Sequence, residues 1–107
     1  MATYVYLYQG GGIPETQEQQ DAVMAAWGAW YGELGDAVVD GGNPFGPSRE
    51  VAADGSSRDG ARSHFTGYTI VSADSLDAAT KMAAGCPVLS DAGRVEVYET
   101  FDVTQQS

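Results

Sequence analysis

The sequence predicts an α+β domain of the ferredoxin-like type, with element order β-α-β-β-α-β and a four-stranded antiparallel sheet covered by two helices on one face. The first strand alternates aromatic and aliphatic residues from Tyr4 to Tyr8, which is the period of two typical of a strand. Two later segments repeat apolar residues at helical spacing, and turn-forming residues separate the elements.

The first helix is predicted over residues 16–34. Thr16 and Gln19 have the spacing of a capping box, and Gly35 is a typical helix stop. Between them lies one apolar stripe made of Val23, Trp27, Trp30, Tyr31 and Leu34. We expect the two tryptophans of this stripe to belong to the core and not to a ligand platform.

The other elements follow from short apolar segments between turn signals. Asp74 or Ser75 can cap a second helix, which Gly85 and Pro87 end. The further strands are predicted at residues 37–40, 65–71 and 95–98. Residues 1–101 therefore form a single domain, and residues 102–107 form a polar C-terminal tail.

The alternation in the first strand also predicts which surfaces are covered. Tyr4, Tyr6 and Tyr8 share one face, and Val5 and Leu7 share the other. We expect the aliphatic face to pack on the helices and the tyrosine face to lie opposite. The last strand adds Val95 and Val97 to the helix side and Glu96 and Tyr98 to the tyrosine side. Because so much aromatic surface needs cover, the sequence predicts a homodimer through the sheet face, with a partly polar interior.

Composition excludes several classes of function. The acidic net charge of −10 disfavours binding to nucleic acid or to anionic membranes. No apolar run approaches the roughly 20 residues of a transmembrane helix, and no secretory signal is visible, so a cytoplasmic location is expected. Cys86 is the only cysteine and His64 the only histidine, so neither a disulfide, a metal site nor a cofactor is predicted.

Residues 41–62 form an unusually long connection that carries most of the positive charge. Arg49, Arg58 and Arg62 lie there, just before His64. We expect this loop to form one wall of a site for a small anionic ligand, since a guanidinium fits a carboxylate well. The alternative is that the arginines pair with the neighbouring acids Glu50, Asp54 and Asp59.

Asp40 and His64 are the candidate catalytic residues. A histidine titrates near neutral pH, and an aspartate that closes a strand can serve as a pocket acid. The alternatives are a surface histidine and a turn-forming aspartate. The candidate ligand-binding residues are Tyr6, Tyr8, Arg49, Arg62, Glu96 and Tyr98.

Several motifs, in order and spacing, resemble the YCII-related family over nearly the whole chain. They are Trp27-Gly28-Ala29-Trp30, Val39-Asp40-Gly41-Gly42-Asn43-Pro44, Gly67-Tyr68-Thr69-Ile70-Val71, Asp74-Ser75-Leu76-Asp77-Ala78-Ala79, Gly85-Cys86-Pro87 and Val95-Glu96-Val97-Tyr98. The family is also called DGPF after a tetrapeptide, of which Asp59-Gly60-Ala61-Arg62 keeps the first two residues.

This resemblance implies the dimeric α/β-barrel superfamily, whose ferredoxin-like members pair through their sheets. Some relatives are proposed enzymes with a histidine on the first helix paired to an aspartate. Met24 occupies the corresponding position here, so that dyad does not carry over.

The resulting hypothesis is a small-molecule-binding dimer, either an enzyme acting on a small anionic metabolite or a non-catalytic binding or accessory module. A purely structural dimer, with an interior filled by tyrosines, is the third possibility.

Overall fold

The computed structural model describes residues 2–10, 15–91 and 93–101, and it confirms the α+β fold. In chain order the elements are β1 (Ala2–Gln9), α1 (Gln17–Leu34), β2 (Val38–Asp40), β3 (Arg49–Val51), β4 (Ser57–Asp59), β5 (Gly67–Ala73), α2 (Leu76–Ala83) and β6 (Arg94–Glu99). The four-stranded sheet has the order β2-β5-β1-β6 and is antiparallel throughout, which is the ferredoxin-like arrangement. Within the described residues, neither helix is long and apolar enough to cross a membrane.

The helix ends follow the predicted caps. The Thr16 hydroxyl accepts a hydrogen bond from the Gln19 amide at 3.0 Å, and the Gln19 side chain accepts one from the Glu15 amide at 3.0 Å. Gly35 ends α1 with a positive φ of 54°, a conformation that favours glycine. Ser75, one of the two predicted caps of α2, accepts a hydrogen bond from the Ala78 amide at 3.0 Å.

The two faces of β1 are the reverse of the predicted ones. Tyr4, Tyr6 and Tyr8 are 1%, 0% and 5% exposed and form the core beneath the helices. Val5 and Leu7 instead lie half-buried on the open face of the sheet. The prediction that the tyrosines point away from the helices is therefore wrong.

Partners for the tyrosine hydroxyls explain the reversal. Tyr6 donates to the Ala79 carbonyl of α2 at 2.5 Å, and Tyr4 donates to the Glu99 carboxylate at 3.0 Å. The small side chains of Ala79 and Ala83 leave room for the rings between α2 and the sheet. A tyrosine can be buried when its ring is packed and its hydroxyl is hydrogen-bonded, and both conditions are met here.

The faces of β6 are as predicted. Val95 and Val97 pack against the core. Glu96 pairs with Leu7 and Tyr98 pairs with Val5, so both lie on the open face. The open face therefore keeps an apolar centre, although its members differ from those expected.

Part of the long connection forms a hairpin of its own. Strands β3 and β4 pair with each other and are not part of the four-stranded sheet. The hairpin turn contains Gly55, with a φ of 89°, and Asp54, which accepts hydrogen bonds from Ser56. The sequence predicted no strand within residues 41–62, and the β4 segment is rich in polar residues. The predicted tail at residues 102–107 lies outside the described residues.

Candidate functional site

A cleft of about 800 Å³ opens between α1 and one end of the sheet. We call it the α1 cleft. Its described lining consists of Tyr8, Gly10, Ala22, Val23, Met24, Ala26, Trp27, Gly28, Tyr31, Gly41, Gly42, Asn43, Pro44, Thr66, Gly67, Tyr68, Pro87, Val88 and Ser90. Its volume lies within the roughly 300–1,000 Å³ typical of small-molecule sites.

The position of α1 creates this cleft. Only the C-terminal half of the helix packs closely on the core, where Trp30 is buried and donates its indole N–H to the Met82 carbonyl at 3.0 Å. Residues 17–26 are all exposed, including the apolar Val23 and Met24. The apolar stripe of α1 is thus only partly used for packing, and its N-terminal part lines the cleft.

The opposite wall is the turn that follows β2. The Asp40 carboxylate accepts a hydrogen bond from the Gly42 amide at 2.9 Å and fixes this turn. Gly42 has a φ of 74°, and a Cβ atom there would lie 1.7 Å from the Tyr68 carbonyl oxygen. Only glycine therefore lets this wall come so close to β5. Pro44 then forms a bridge with Gly67.

Hydroxyl groups meet at the floor of the cleft. The Tyr8 hydroxyl donates to the Thr69 hydroxyl at 2.7 Å, and the Tyr31 and Thr69 hydroxyls lie 3.1 Å apart. Both Tyr31 and Thr69 donate to the Gly41 carbonyl at 3.1 Å. The Trp27 ring packs edge-on against Tyr8, with ring centroids 5.2 Å apart. Burial raises the pKa of Tyr8 well above its ordinary value, so this phenol stays protonated at neutral pH.

The cleft is chemically an aromatic, uncharged site. None of its described lining residues is an acid, a lysine, an arginine or a histidine. The polar groups of its described lining residues are hydroxyls, the Trp27 indole N–H, the Asn43 side chain and backbone atoms. In the described part of the chain, no group of three or more His, Cys, Asp and Glu side chains could hold a metal ion. Such a lining suits a small apolar molecule that carries a few hydrogen-bonding groups.

The structure places the predicted site residues in several separate environments. Tyr8 lines the cleft, whereas Tyr6 lies in the core with its hydroxyl bound to α2. Asp40 stabilises the turn of the cleft wall, as in the turn-forming alternative. Glu96 and Tyr98 lie on the open face, where Tyr98 donates to Glu96 at 3.0 Å.

The arginines form ion pairs within the hairpin region. Arg58 and Arg62 lie 3.6 Å and 3.0 Å from the Glu50 carboxylate, and Arg49 lies 3.5 Å from that of Asp59. All three are exposed, and none lines the cleft. His64 is also exposed and has a φ of 53°. The expected wall is thus formed only by the start of the connection, residues 41–44.

Sequence reasoning missed Thr69, Tyr31, Trp27 and Met24 as site residues. Thr69 is a fully buried polar residue on the helix side of β5, between Gly67 and Val71. A buried polar side chain needs hydrogen-bond partners, so a threonine within an otherwise apolar strand could have indicated a polar site in the core. Trp27 and Tyr31 are four residues apart and share a helix face, but a core stripe has the same pattern.

A comparison with protein families supports the fold. A family model of the YCII-related domain matches residues 3–104. No curated protein matches the chain. The matched region contains all the helices and all but the first residue of the described strands, together with the α1 cleft. The chain therefore belongs to the YCII-related domain family.

Proposed function

We propose that the protein binds a small, uncharged and largely apolar molecule in the α1 cleft and does not transform it. The observation that carries this proposal is the combination of a cleft of about 800 Å³ with an aromatic lining and hydroxyls that meet on its floor. Aromatic walls supply affinity by apolar burial, and a few fixed polar groups supply orientation.

The cleft favours a neutral ligand over the anion expected from the arginine-rich loop. A carboxylate that enters an apolar site loses its hydration and needs a cation in return. The described lining offers none, and Arg49, Arg58 and Arg62 are paired with carboxylates elsewhere. A neutral ligand avoids this penalty.

The same lining favours binding over catalysis. Met24 lines the cleft at the position where the family resemblance implies a histidine in proposed enzymes. A thioether cannot transfer a proton. The raised pKa of Tyr8 makes that phenol a poor general base at neutral pH. A binding or accessory role therefore fits the described residues better than an enzyme of the proton-transfer type.

A second copy of the chain is part of this proposal. Val5, Leu7 and Ile70 form the apolar centre of the open face, beside Tyr98, which is 49% exposed. Pairing of these faces would match the sheet pairing that the family resemblance implies. The α1 cleft lies on the other side of the sheet, so it would stay accessible in such a dimer.

The direct test is a binding screen with probes that differ in charge. Benzyl alcohol, benzamide and benzoate have similar rings, and calorimetric titration at neutral pH gives their affinities. We expect the neutral probes to bind at least about tenfold more tightly than benzoate, because benzoate would be desolvated without a cation. Equal or tighter binding of benzoate contradicts a neutral site.

A matched pair of variants locates the binding. Ala26→Phe places a ring in the cleft and should abolish binding, because Ala26 lines it. Ala25→Phe makes the same change at an exposed neighbour outside the described lining and should leave binding intact. If no probe binds, or if both variants respond alike, the proposed function is wrong.

A further inference from the structure

The hydroxyl cluster on the floor of the cleft indicates which polar group the ligand carries. Its members are the hydroxyls of Tyr8, Tyr31 and Thr69 together with the Gly41 carbonyl. Their protons can be counted, because each hydroxyl donates one hydrogen bond and accepts up to two.

Every proton of the cluster has an acceptor inside the protein. The Tyr8 proton goes to Thr69 at 2.7 Å. The Thr69 and Tyr31 protons have two acceptors within 3.1 Å, the Gly41 carbonyl and the oxygen of the other hydroxyl. No donor of this cluster is therefore left over for a ligand.

The capacity that remains is acceptor capacity. Thr69 is fully buried and already receives the Tyr8 proton, so it offers nothing to the cleft. The phenol oxygens of Tyr8 and Tyr31 keep lone pairs, and both residues line the cleft. Tyr31 is only half-buried and is the more accessible of the two.

We propose that this cluster selects a ligand that presents an uncharged hydrogen-bond donor, a hydroxyl or an N–H group, on an aromatic or similarly apolar body. The inference rests on the proposed function and names the ligand class of the same cleft. A donor adds a hydrogen bond to Tyr31 and breaks none. At this cluster, a ligand carbonyl or ether would take the Tyr31 proton only by breaking its bond to Gly41 or Thr69, or would face oxygen lone pairs without a partner. The donor should therefore bind about tenfold more tightly than an isostere that lacks it.

Indole and benzofuran form a suitable pair of probes, because they have the same shape and differ in an N–H group against an ether oxygen. Calorimetric titration of each into the native protein gives the ratio of their dissociation constants. We expect indole to bind about tenfold more tightly. If both bind equally, the inference is wrong and the proposed function stands. If neither binds and the other neutral probes also fail, the proposed function itself is wrong.

Variants then assign the preference to the cluster. Tyr31→Phe removes the accessible acceptor but keeps the ring beside Trp27, so the preference for indole should fall to about twofold or less. Tyr4→Phe is the matched control, since its hydroxyl bonds to Glu99 and Tyr4 is not among the described lining residues. A preference that survives in Tyr31→Phe, or disappears equally in Tyr4→Phe, overturns the assignment. If a variant fails to fold, the ratio of the indole and benzofuran dissociation constants in the native protein still tests the inference.

Discussion

The tyrosine hydroxyls of β1 decide how this strand is oriented. Tyr4, Tyr6 and Tyr8 alternate with Val5 and Leu7, and that alternation defines two faces without saying which one the helices cover. The tyrosines face the helices because each hydroxyl reaches an acceptor there or at the rim of the core. A ring whose hydroxyl is satisfied buries more apolar surface than an aliphatic side chain.

The buried tyrosine and cysteine side chains should make the protein less stable at alkaline pH. Burial raises the pKa of Tyr6 from 10.0 to about 12 and the pKa of Cys86 from 9.0 to about 11. Because the folded-state pKa values are the higher ones, their contribution to stability is fully present below pH 9 and is lost as the pH rises to about 12. The midpoint of urea unfolding should therefore stay constant up to about pH 9 and then fall.

Two substitutions separate the contributions of these groups. Cys86→Ala should flatten the first part of the decline, and Tyr6→Phe should flatten the later part. Tyr6→Phe should also lower stability at neutral pH by about 1 kcal/mol, since a buried hydrogen bond is lost. A midpoint that stays level throughout, or variants that follow the native curve, would show that these groups do not titrate as described.

At the scale of elements, α1 and the β3–β4 hairpin explain why the cleft was only partly predictable. The caps of α1 at Thr16 and Gly35 could be predicted from the sequence because they depend on local backbone hydrogen bonds. The pattern of Val23 and Trp27 does not reveal that the N-terminal half of the helix lies away from the sheet. Charge in the hairpin indicated a site, but pairing with Glu50 accounts for two of its arginines.

The hairpin arginines should therefore be dispensable for binding in the cleft. Alanine substitution of Arg49, Arg58 and Arg62 together should leave the affinity for a neutral probe within about twofold, because none of the three lines the cleft and residues without shared partners act independently. Stability should change by less than about 1 kcal/mol per pair, since the arginine side chains of all three pairs are exposed. Calorimetry and urea unfolding provide the measurements. Loss of binding in this variant would contradict this expectation and would support the arginine-lined site that the sequence predicted.

At the scale of the whole molecule, the fold was the most predictable level and the site the least. Strand alternation, helix caps and turn residues each specify local structure, and together they are compatible with few topologies. The α1 cleft instead depends on how far a helix stands from a sheet and on which partner each hydroxyl finds. Thr69 illustrates this, because its neighbours Tyr8, Tyr31 and Gly41 come from three other parts of the chain.

The proposed dimer provides a prediction at the same scale. Val5→Asp places a charge at the centre of the open face and should produce monomers of 11.2 kDa, whereas the native protein should have twice that mass. Val51→Asp is the matched control, since Val51 is 69% exposed on the separate hairpin and should leave the dimer intact. Light scattering at micromolar concentration measures both. A native protein of 11.2 kDa, or a dimeric Val5→Asp variant, would rule out pairing through this face.

A crystal of the protein soaked in 4-bromophenol can reveal where a small aromatic molecule binds, because the anomalous signal of bromine locates the probe without prior assumptions. We expect bromine in the α1 cleft beside Trp27, with the phenol hydroxyl within hydrogen-bonding distance of Tyr31. Bromine bound between two open sheet faces, bromine on the β3–β4 hairpin, or the absence of any bound probe would contradict this expectation.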